Sequence, residues 1–393
     1  MQAVILAAGK STRTYPLTLT RPKSLLRIAN ETILEHNLKQ LEGLADEIVI
    51  IVGYKKGMIE DFVKEKGIDK RFKIIFVEQK EQMGTGHALL QAKDCLNDRF
   101  ILMYGDDLYS RKDIENCLKH KYCLLGQRVK DSGRFGVLVT EGNNVKEIVE
   151  KPKGVVSDIA NCGVYVLDKK IFDFQLEKTE RNEYEITDCI RELAKTDDVH
   201  YETVKDYWLP IGYPWGILNA NEHFLRHIKN DVKGTLESNA IVKGNVVIGE
   251  NTVIKSGSYI EGPTLIGNNC IIGPNCYITN STIGNDCSIG TAEVNHSVIM
   301  DGVKMKHFSF AGNSIIGENV NVSAGVITAD LRHDNENVKS MINGKKTDSG
   351  RRKFGSVIGD NVKLGVNTLI YPGRKIWPNK ETLPGETVKK DIM

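Results

Sequence analysis

The chain has 393 residues, 40% of them hydrophobic and 26% charged with only ten prolines, which fits two or three ordered domains and excludes disordered, collagenous and low-complexity architectures. Its 53 basic and 51 acidic side chains leave a formal charge of +2, too weak a field for nucleic acid to be the main partner. No apolar run approaches the roughly 18 residues that span a bilayer, and the N-terminus lacks a basic stretch followed by a long apolar core, so no membrane association and a cytoplasmic location are expected.

Up to about residue 229, short apolar runs at 3–7, 47–52, 74–77 and 100–104 alternate with segments of helical spacing such as Ile33, Leu34, Leu38 and Leu41. Strands buried on both faces and joined by helices form a layered, mostly parallel α/β sheet of the Rossmann-like kind, and such sheets bind ligands at the carboxyl ends of their strands. Residues 1–229 are therefore expected to form a site-bearing domain.

Directly after the first strand, Ala8 and Gly9 make a small-residue turn whose backbone N–H groups can approach a phosphate, with Arg13 and Lys23 supplying positive charge for a triphosphate. The segment is neither a P-loop, lacking GKS/T, nor a dinucleotide GxGxxG. Gln79 carries a donor and an acceptor on one planar amide, matching a pyrimidine edge. Asp106 closes the run 100–104, so its carboxylate should emerge at the sheet's carboxyl edge, where a Mg²⁺ bridging phosphates can sit. Lys151, after Glu150, offers a cation to a second phosphate. Phosphoanhydride exchange needs such positioning and charge neutralisation rather than a strong base.

The stretch Leu6-Ala7-Ala8-Gly9-Lys10-Ser11-Thr12-Arg13, with Pro16-Leu17 and Pro22-Lys23, resembles the LAAGxGTRxxPLTxxxPK pattern of the sugar-1-phosphate nucleotidylyltransferases, with Ser11 where a second glycine is usual. The resemblance extends over the whole domain. It implies a base-reading segment at 79–88 that includes Gln79, Gly84 and Thr85, a metal-binding strand end at Asp106, sugar-phosphate elements at Gly136, Glu150 and Lys151, and a sugar-contacting strand at Asn161. The implied reaction joins UTP or dTTP to a hexose 1-phosphate of the glucose, glucosamine or N-acetylglucosamine type and releases pyrophosphate. Pro210 stands where the family has a second metal ligand. Either Asp106 and phosphates hold the metal alone, or a neighbour such as Asp107 substitutes, or the activity is weakened.

From about Leu236 to the end, helical spacing gives way to a repeat. Ile248, Ile254, Ile260, Ile266, Ile272 and Ile278 are six apart, the phase slips by one at Ile283 and Ile289, and sixes return at Ile316 with Val322 and at Ile358, Leu364, Ile370 and Ile376. Four residues after each aliphatic stands a small or β-branched residue, among them Thr252, Ser258, Cys270, Cys276 and Cys287. This is the signature of a hexapeptide β-helix, with the aliphatics stacked inward and Gly or Asn turning the corners. The cysteines in that slot are expected to be packed thiols, and none of the eight forms a CxxC pair or a zinc-type spacing. The polar stretch at about 330–355 breaks the repeat and is expected to be a loop thrown out from the coil without a core of its own.

An α/β nucleotidylyltransferase followed by such a coil, residues 236–393, resembles the bifunctional enzymes that make UDP-N-acetylhexosamine, particularly their archaeal relatives. That resemblance implies a left-handed parallel β-helix, a homotrimer formed through it, and acetyl transfer from acetyl-CoA to an amino-sugar phosphate between subunits. His307 would be the general base and Lys339 would hold the acceptor's phosphate. Phe310 stands where the family has Tyr, and Asp330 where it has Asn, so one hydroxyl and one amide donor are lost. The acetyl transfer is then altered in acceptor, slow or absent. Two alternatives keep the architecture: a nucleotidylyltransferase whose coil serves only assembly or regulation, and a non-catalytic subunit of an exchange-factor complex, which intact Arg13, Lys23 and Asp106 oppose.

Overall fold

The computed structural model describes residues 1–152, 154–179 and 182–393. Along the strand Gln2–Leu6, successive side chains enter opposite cores, Ala3 and Ile5 one of them and Val4 the other. Glu47–Val52 and Arg99–Tyr104 behave alike, with Ile48, Ile50, Ile101 and Met103 on the first side and Val49, Ile51, Phe100 and Leu102 on the second. Helices Ile33–Leu41, Lys56–Glu65 and Arg111–Cys117 close the first core, through Leu34, Leu38, Ile59 and Ile114. Thr85–Leu90 and Ile186–Thr196 close the second. The expected layered sheet is thus formed by strands apolar on both faces.

In this nine-stranded sheet, Gln2–Leu6 pairs in parallel with Glu47–Val52 and Arg99–Tyr104, and Glu47–Val52 with Lys73–Glu78. Ile159–Asp168 runs antiparallel between Arg99–Tyr104 and Tyr122–Arg128. Gly136–Glu141 and Asn144–Glu150 form an antiparallel hairpin at the edge. The first strand and Arg99–Tyr104 lie side by side, so the turn at Ala8 and the carboxylate of Asp106 leave the same edge.

The chain gathers into two spatial units that do not follow the sequence boundary at 229–236. The first holds Met1–Lys10, Pro22–Leu25 and Ile33–Pro210; the second holds Ser11–Arg21, Leu26–Thr32 and Ile211–Met393. Polar contacts within the second unit explain its extra pieces. Thr282 Oγ1 donates to Asn221 Oδ1 at 2.7 Å, and the same oxygen accepts from Ala29 N at 3.0 Å.

The second unit is a parallel β-helix. Val246↔Thr264, Val253↔Ile271 and Tyr259↔Tyr277 pair at intervals of 18 residues, one coil of three sixes. Leu265↔Thr282 pair at 17, which absorbs the slip at Ile283. Ile315↔Val357 pair at 42, so one coil carries 24 extra residues. The repeat's aliphatics, from Ile248 to Ile376, form one continuous buried stack, and asparagines with left-handed backbone, such as Asn251, Asn269 and Asn361, turn corners. In the small-residue slot, Thr252 Oγ1 donates to Gly267 O at 2.7 Å and Cys270 Sγ to Gly284 O at 3.1 Å, each linking one coil to the next. All eight cysteines are free thiols.

The inserted loop is more ordered than its polar sequence suggests. Lys339–Ile342 and Lys345–Asp348 form an antiparallel hairpin, and Val338, Ile342 and Phe354 are buried beneath it. Ser340 Oγ donates to Gly373 O at 2.8 Å and Arg351 Nη2 to Glu222 Oε1 at 2.6 Å, so polar contacts hold the insert together with these three apolar residues. Among the described residues no helix is long and apolar enough to cross a membrane.

Candidate active site

At the carboxyl edge of the sheet, Ala8 is buried and its carbonyl accepts from Tyr54 N at 3.0 Å, which fixes the turn before Gly9. Lys23 is only 5% exposed, and its Nζ donates to Asp106 Oδ2 at 2.9 Å. Sequence reasoning assigned these two groups separately, as phosphate cation and metal ligand; the fold of the first unit joins them. The Asp106 side chain remains 42% exposed, so ligand can reach it.

Asp107 is held differently. Trp208 Nε1 donates to its Oδ2 at 3.1 Å, and Asn37 Nδ2 to its backbone carbonyl at 2.9 Å. The strand Trp208–Leu209 pairs with Leu108–Tyr109, Leu209 opposite Leu108, which brings Pro210 to the level of Asp107. Among the described residues no three His, Cys, Asp or Glu side chains group into a metal-binding set. A divalent ion at Asp106 would therefore need further oxygens, from a bound phosphate, water or neighbouring Asp107, to complete its shell.

Gln79 is buried in the segment expected to read the base. Its Nε2 donates to Gly84 O at 3.1 Å and lies 3.0 Å from His87 Nδ1, so the amide nitrogen is directed at Gly84 and His87. Gly84 has φ +104°, and a Cβ there would stand 2.5 Å from Tyr184 O; only glycine allows this approach. Thr85 is engaged elsewhere. Its hydroxyl donates to Glu185 Oε2 at 2.8 Å and accepts from Ile186 N at 3.1 Å, which anchors the start of the helix Ile186–Thr196.

The elements assigned to the sugar phosphate meet in part. Gly136 pairs with Glu150, and a Cβ on it would lie 2.6 Å from Glu150 Oε2. Lys151 Nζ is 3.2 Å from Glu150 Oε1. Asn161 sits on Ile159–Asp168 where the strand bulges, Gly163 taking φ +87°. The bulge turns Asn161 Oδ1 to accept from Gly163 N at 3.2 Å and Nδ2 to donate to Tyr165 Oη at 2.6 Å, with Tyr104 Oη a further 3.0 Å on. Burial raises the pKa of both phenols, so they act as neutral hydrogen-bonding groups at ordinary pH. Sequence reasoning missed this hydroxyl chain, whose only trace was a tyrosine at the end of the run 100–104.

In the second unit, Arg13 is exposed with its guanidinium 5.4 Å from the centre of the Tyr213 ring. His307 lies at an exposed corner of the coil, opposite Thr291. Phe308, next to it, is 77% exposed with left-handed backbone, and an open groove of about 720 Å³ runs past it, lined also by Tyr259, Tyr277 and Glu293. Asp330 is elsewhere. Its Oδ2 accepts from Asn313 Nδ2 at 2.7 Å, and its carbonyl accepts from Phe354 N at 2.8 Å. A Cβ on Gly312 would touch both Phe310 and that carboxylate, so Phe310 and Asp330 share a corner. The carbonyl of Lys339 lies against Gly373, whose N–H donates to Phe354 O at 3.1 Å, so the Lys339 backbone passes near that corner. Asn313 follows His307 by six residues, so His307 and Asp330 stand at opposite ends of one face, up to about 20 Å apart along the chain. One chain does not bring them together.

The Nucleotidyl transferase family matches residues 2–227, and the GMPPB C-terminal domain matches 260–392. The chain is 44% identical over 390 residues to "Bifunctional protein GlmU" of Methanocaldococcus jannaschii, covering 96% of this chain and 92% of that protein. It is 39% identical to a "Bifunctional sugar-1-phosphate nucleotidylyltransferase/acetyltransferase" of Sulfurisphaera tokodaii, covering 100% and 98% of the two chains. A UDP-glucose pyrophosphorylase solved with UDP-glucose shares the fold over 57% of this chain and 98% of its own, with a TM-score of 0.53 and 24% identity. With residues 2–227 matched by one family and 96–100% of its length by these relatives, the chain belongs to the nucleotidyl transferase family, in its bifunctional sugar-1-phosphate nucleotidylyltransferase/acetyltransferase branch.

Proposed function

We propose that the protein transfers a nucleotidyl group from UTP or dTTP to a hexose 1-phosphate of the glucose, glucosamine or N-acetylglucosamine type, releasing pyrophosphate. The observation that carries this reading is the Lys23–Asp106 pair at 2.9 Å beside the Ala8–Gly9 turn. A sugar-phosphate oxygen attacks the α-phosphorus in line, and the leaving pyrophosphate takes the electron pair. Gly9 and its neighbours approach the triphosphate through backbone N–H groups, Lys23 and Arg13 neutralise charge that develops on its oxygens, and Gln79 and Gly84 hold the base. Glu150, Lys151 and Asn161 orient the sugar phosphate, with Gly136 leaving room for Glu150. Asp106 is the residue that would hold Mg²⁺, which supplies charge neutralisation when bound. Pyrophosphate release across a panel of sugar 1-phosphates and four NTPs tests the reading.

For the coil, the reading is acetyl transfer from acetyl-CoA to an amino-sugar phosphate. His307 takes the proton of the attacking amine, while Asp330, Phe310 and Lys339 of a neighbouring subunit face the acceptor. The separation of His307 from Asp330 on one chain supports a site shared between copies, and exposed Ile271, Tyr277, Leu369 and Tyr371 support packing of coils into a homotrimer. Eight free thiols suit the cytoplasm. A second reading, a coil that only assembles the enzyme, is favoured by the bond from Asn313 to Asp330 Oδ2, which occupies the carboxylate where a donor to the acetyl group is wanted.

A further inference from the structure

Gln79 follows the strand Lys73–Glu78 and prolongs its ladder, its backbone N–H donating to Val52 O at 2.8 Å. It is 3% exposed, and its side chain meets the first turn of the helix Thr85–Leu90. Residues 84 and 87 are three apart at that turn, so the carbonyl of Gly84 and the ring of His87 reach the same amide nitrogen, Gln79 Nε2, at 3.1 and 3.0 Å. Tyr184 backs the turn: its N–H donates to Met83 O at 2.7 Å, its carbonyl accepts from Gly86 N at 2.8 Å, and its ring centre lies 6.3 Å from that of His87.

A carbonyl only accepts, so the end of the Gln79 amide that faces Gly84 is its nitrogen. His87 Nδ1 must then accept as well, which puts the ring's hydrogen on Nε2 and requires a neutral imidazole. That Nε2 faces the exposed amide of Gln91 at 3.2 Å, whose oxygen can take the hydrogen when the amide turns. With one amide hydrogen on Gly84 and the other on His87, Gln79 has only its oxygen left to offer a ligand. Uracil and thymine present an N–H at N3, whereas cytosine presents a lone pair there. Two acceptors brought face to face lose their bonds to water and gain none in exchange.

We propose that His87 is a positioning residue for the choice of base: by accepting the second amide hydrogen it commits Gln79 to the role of acceptor, and so favours a nucleotide that carries N3–H, UTP or dTTP, over CTP. Gln79, Gly84, His87 and Tyr184 all lie in the first unit. The inference rests on the reading of Gln79 as the residue that meets the base.

The test is calorimetric binding of UTP and of CTP, with Mg²⁺ and without sugar phosphate, to the full-length protein and to His87→Leu, His87→Asn, Gln79→Leu and the double variant His87→Leu with Gln79→Leu, thermal melting being followed in parallel. The expected result is a wild type that prefers UTP and a UTP-to-CTP affinity ratio that falls about 10-fold in His87→Leu, through weaker UTP binding. His87→Asn, which puts an oxygen acceptor in place of Nδ1, should keep the ratio within about 3-fold of wild type, and His87→Leu should change it by less than about 3-fold once Gln79 is Leu. Should His87→Leu not fold, His87→Ala decides by the same ratio. An unchanged ratio in Gln79→Leu, or a wild type without preference, would overturn the reading of Gln79 itself. A ratio that falls in Gln79→Leu but not in His87→Leu, or that falls as far in His87→Asn as in His87→Leu, would overturn the role of His87 alone.

Discussion

Lys23 Nζ and Asp106 Oδ2 are 2.9 Å apart, so the buried cation expected at a phosphate is also the partner of the carboxylate expected at a metal. The pair keeps Lys23 aimed at the sheet edge before ligand arrives, and a bound divalent ion would compete with it for Asp106. Asp106→Asn should raise the Mg²⁺ concentration for half-maximal activity about 10-fold or more. An unchanged metal titration would move the ligand to another residue.

Arg13→Ala is expected to lower nucleotidyl transfer about 100-fold or more, the loss of a few kcal/mol of charge stabilisation in the transition state. The effect should fall on kcat/KM for the nucleotide and not on melting temperature, since the side chain is exposed.

Gly163→Ala tests the strand bulge. With φ +87° and a Cβ that would overlap the Tyr104 ring, the added methyl should cost about 1–3 kcal/mol of stability. Because Gly163 N donates to Asn161, the KM for the sugar phosphate should rise as well. A variant that melts normally and binds sugar phosphate normally would mean that the bulge is not a constraint.

Buried phenols set an alkaline limit. Burial raises the pKa of Tyr104, Tyr109 and Tyr165 above the usual value of about 10, so the unfolded chain loses these protons first as pH climbs. Their contribution is complete below pH 10 and is lost as pH rises toward the folded values. Melting temperature should therefore fall above pH 10, and the ultraviolet signal of ionised phenol from these side chains should appear only with unfolding. Tyr165→Phe should flatten the alkaline fall.

In the coil, His307→Ala should abolish acetyl-CoA consumption with glucosamine or galactosamine 1-phosphate and leave pyrophosphate release unchanged. The double change Phe310→Tyr with Asp330→Asn restores one hydroxyl and one amide donor, and acetyl transfer should rise about 10-fold. Wild-type acetyl transfer indifferent to His307 would place that chemistry elsewhere; none at all would favour the coil as an assembly module.

The sequence made the coil legible almost residue by residue, because one aliphatic per six stacks on itself and a one-residue slip at Ile283 must appear as a 17-residue coil. It could not reveal that Ile159–Asp168 runs antiparallel, since an apolar run has the same pattern in either direction. Thr85 illustrates a different limit: its partner Glu185 lies 100 residues away, and no local spacing announces it. The contact of Arg21 with Asp360, 339 residues apart, was hidden for the same reason.

The most direct measurement is pyrophosphate release by the full-length protein with UTP or dTTP and a sugar 1-phosphate, run beside Lys23→Ala at equal concentration of folded protein. The account predicts steady, Mg²⁺-dependent turnover by the wild type on at least one hexose 1-phosphate and a loss of about 100-fold or more in Lys23→Ala. Absence of turnover across the whole panel, or equal turnover in Lys23→Ala, would contradict it.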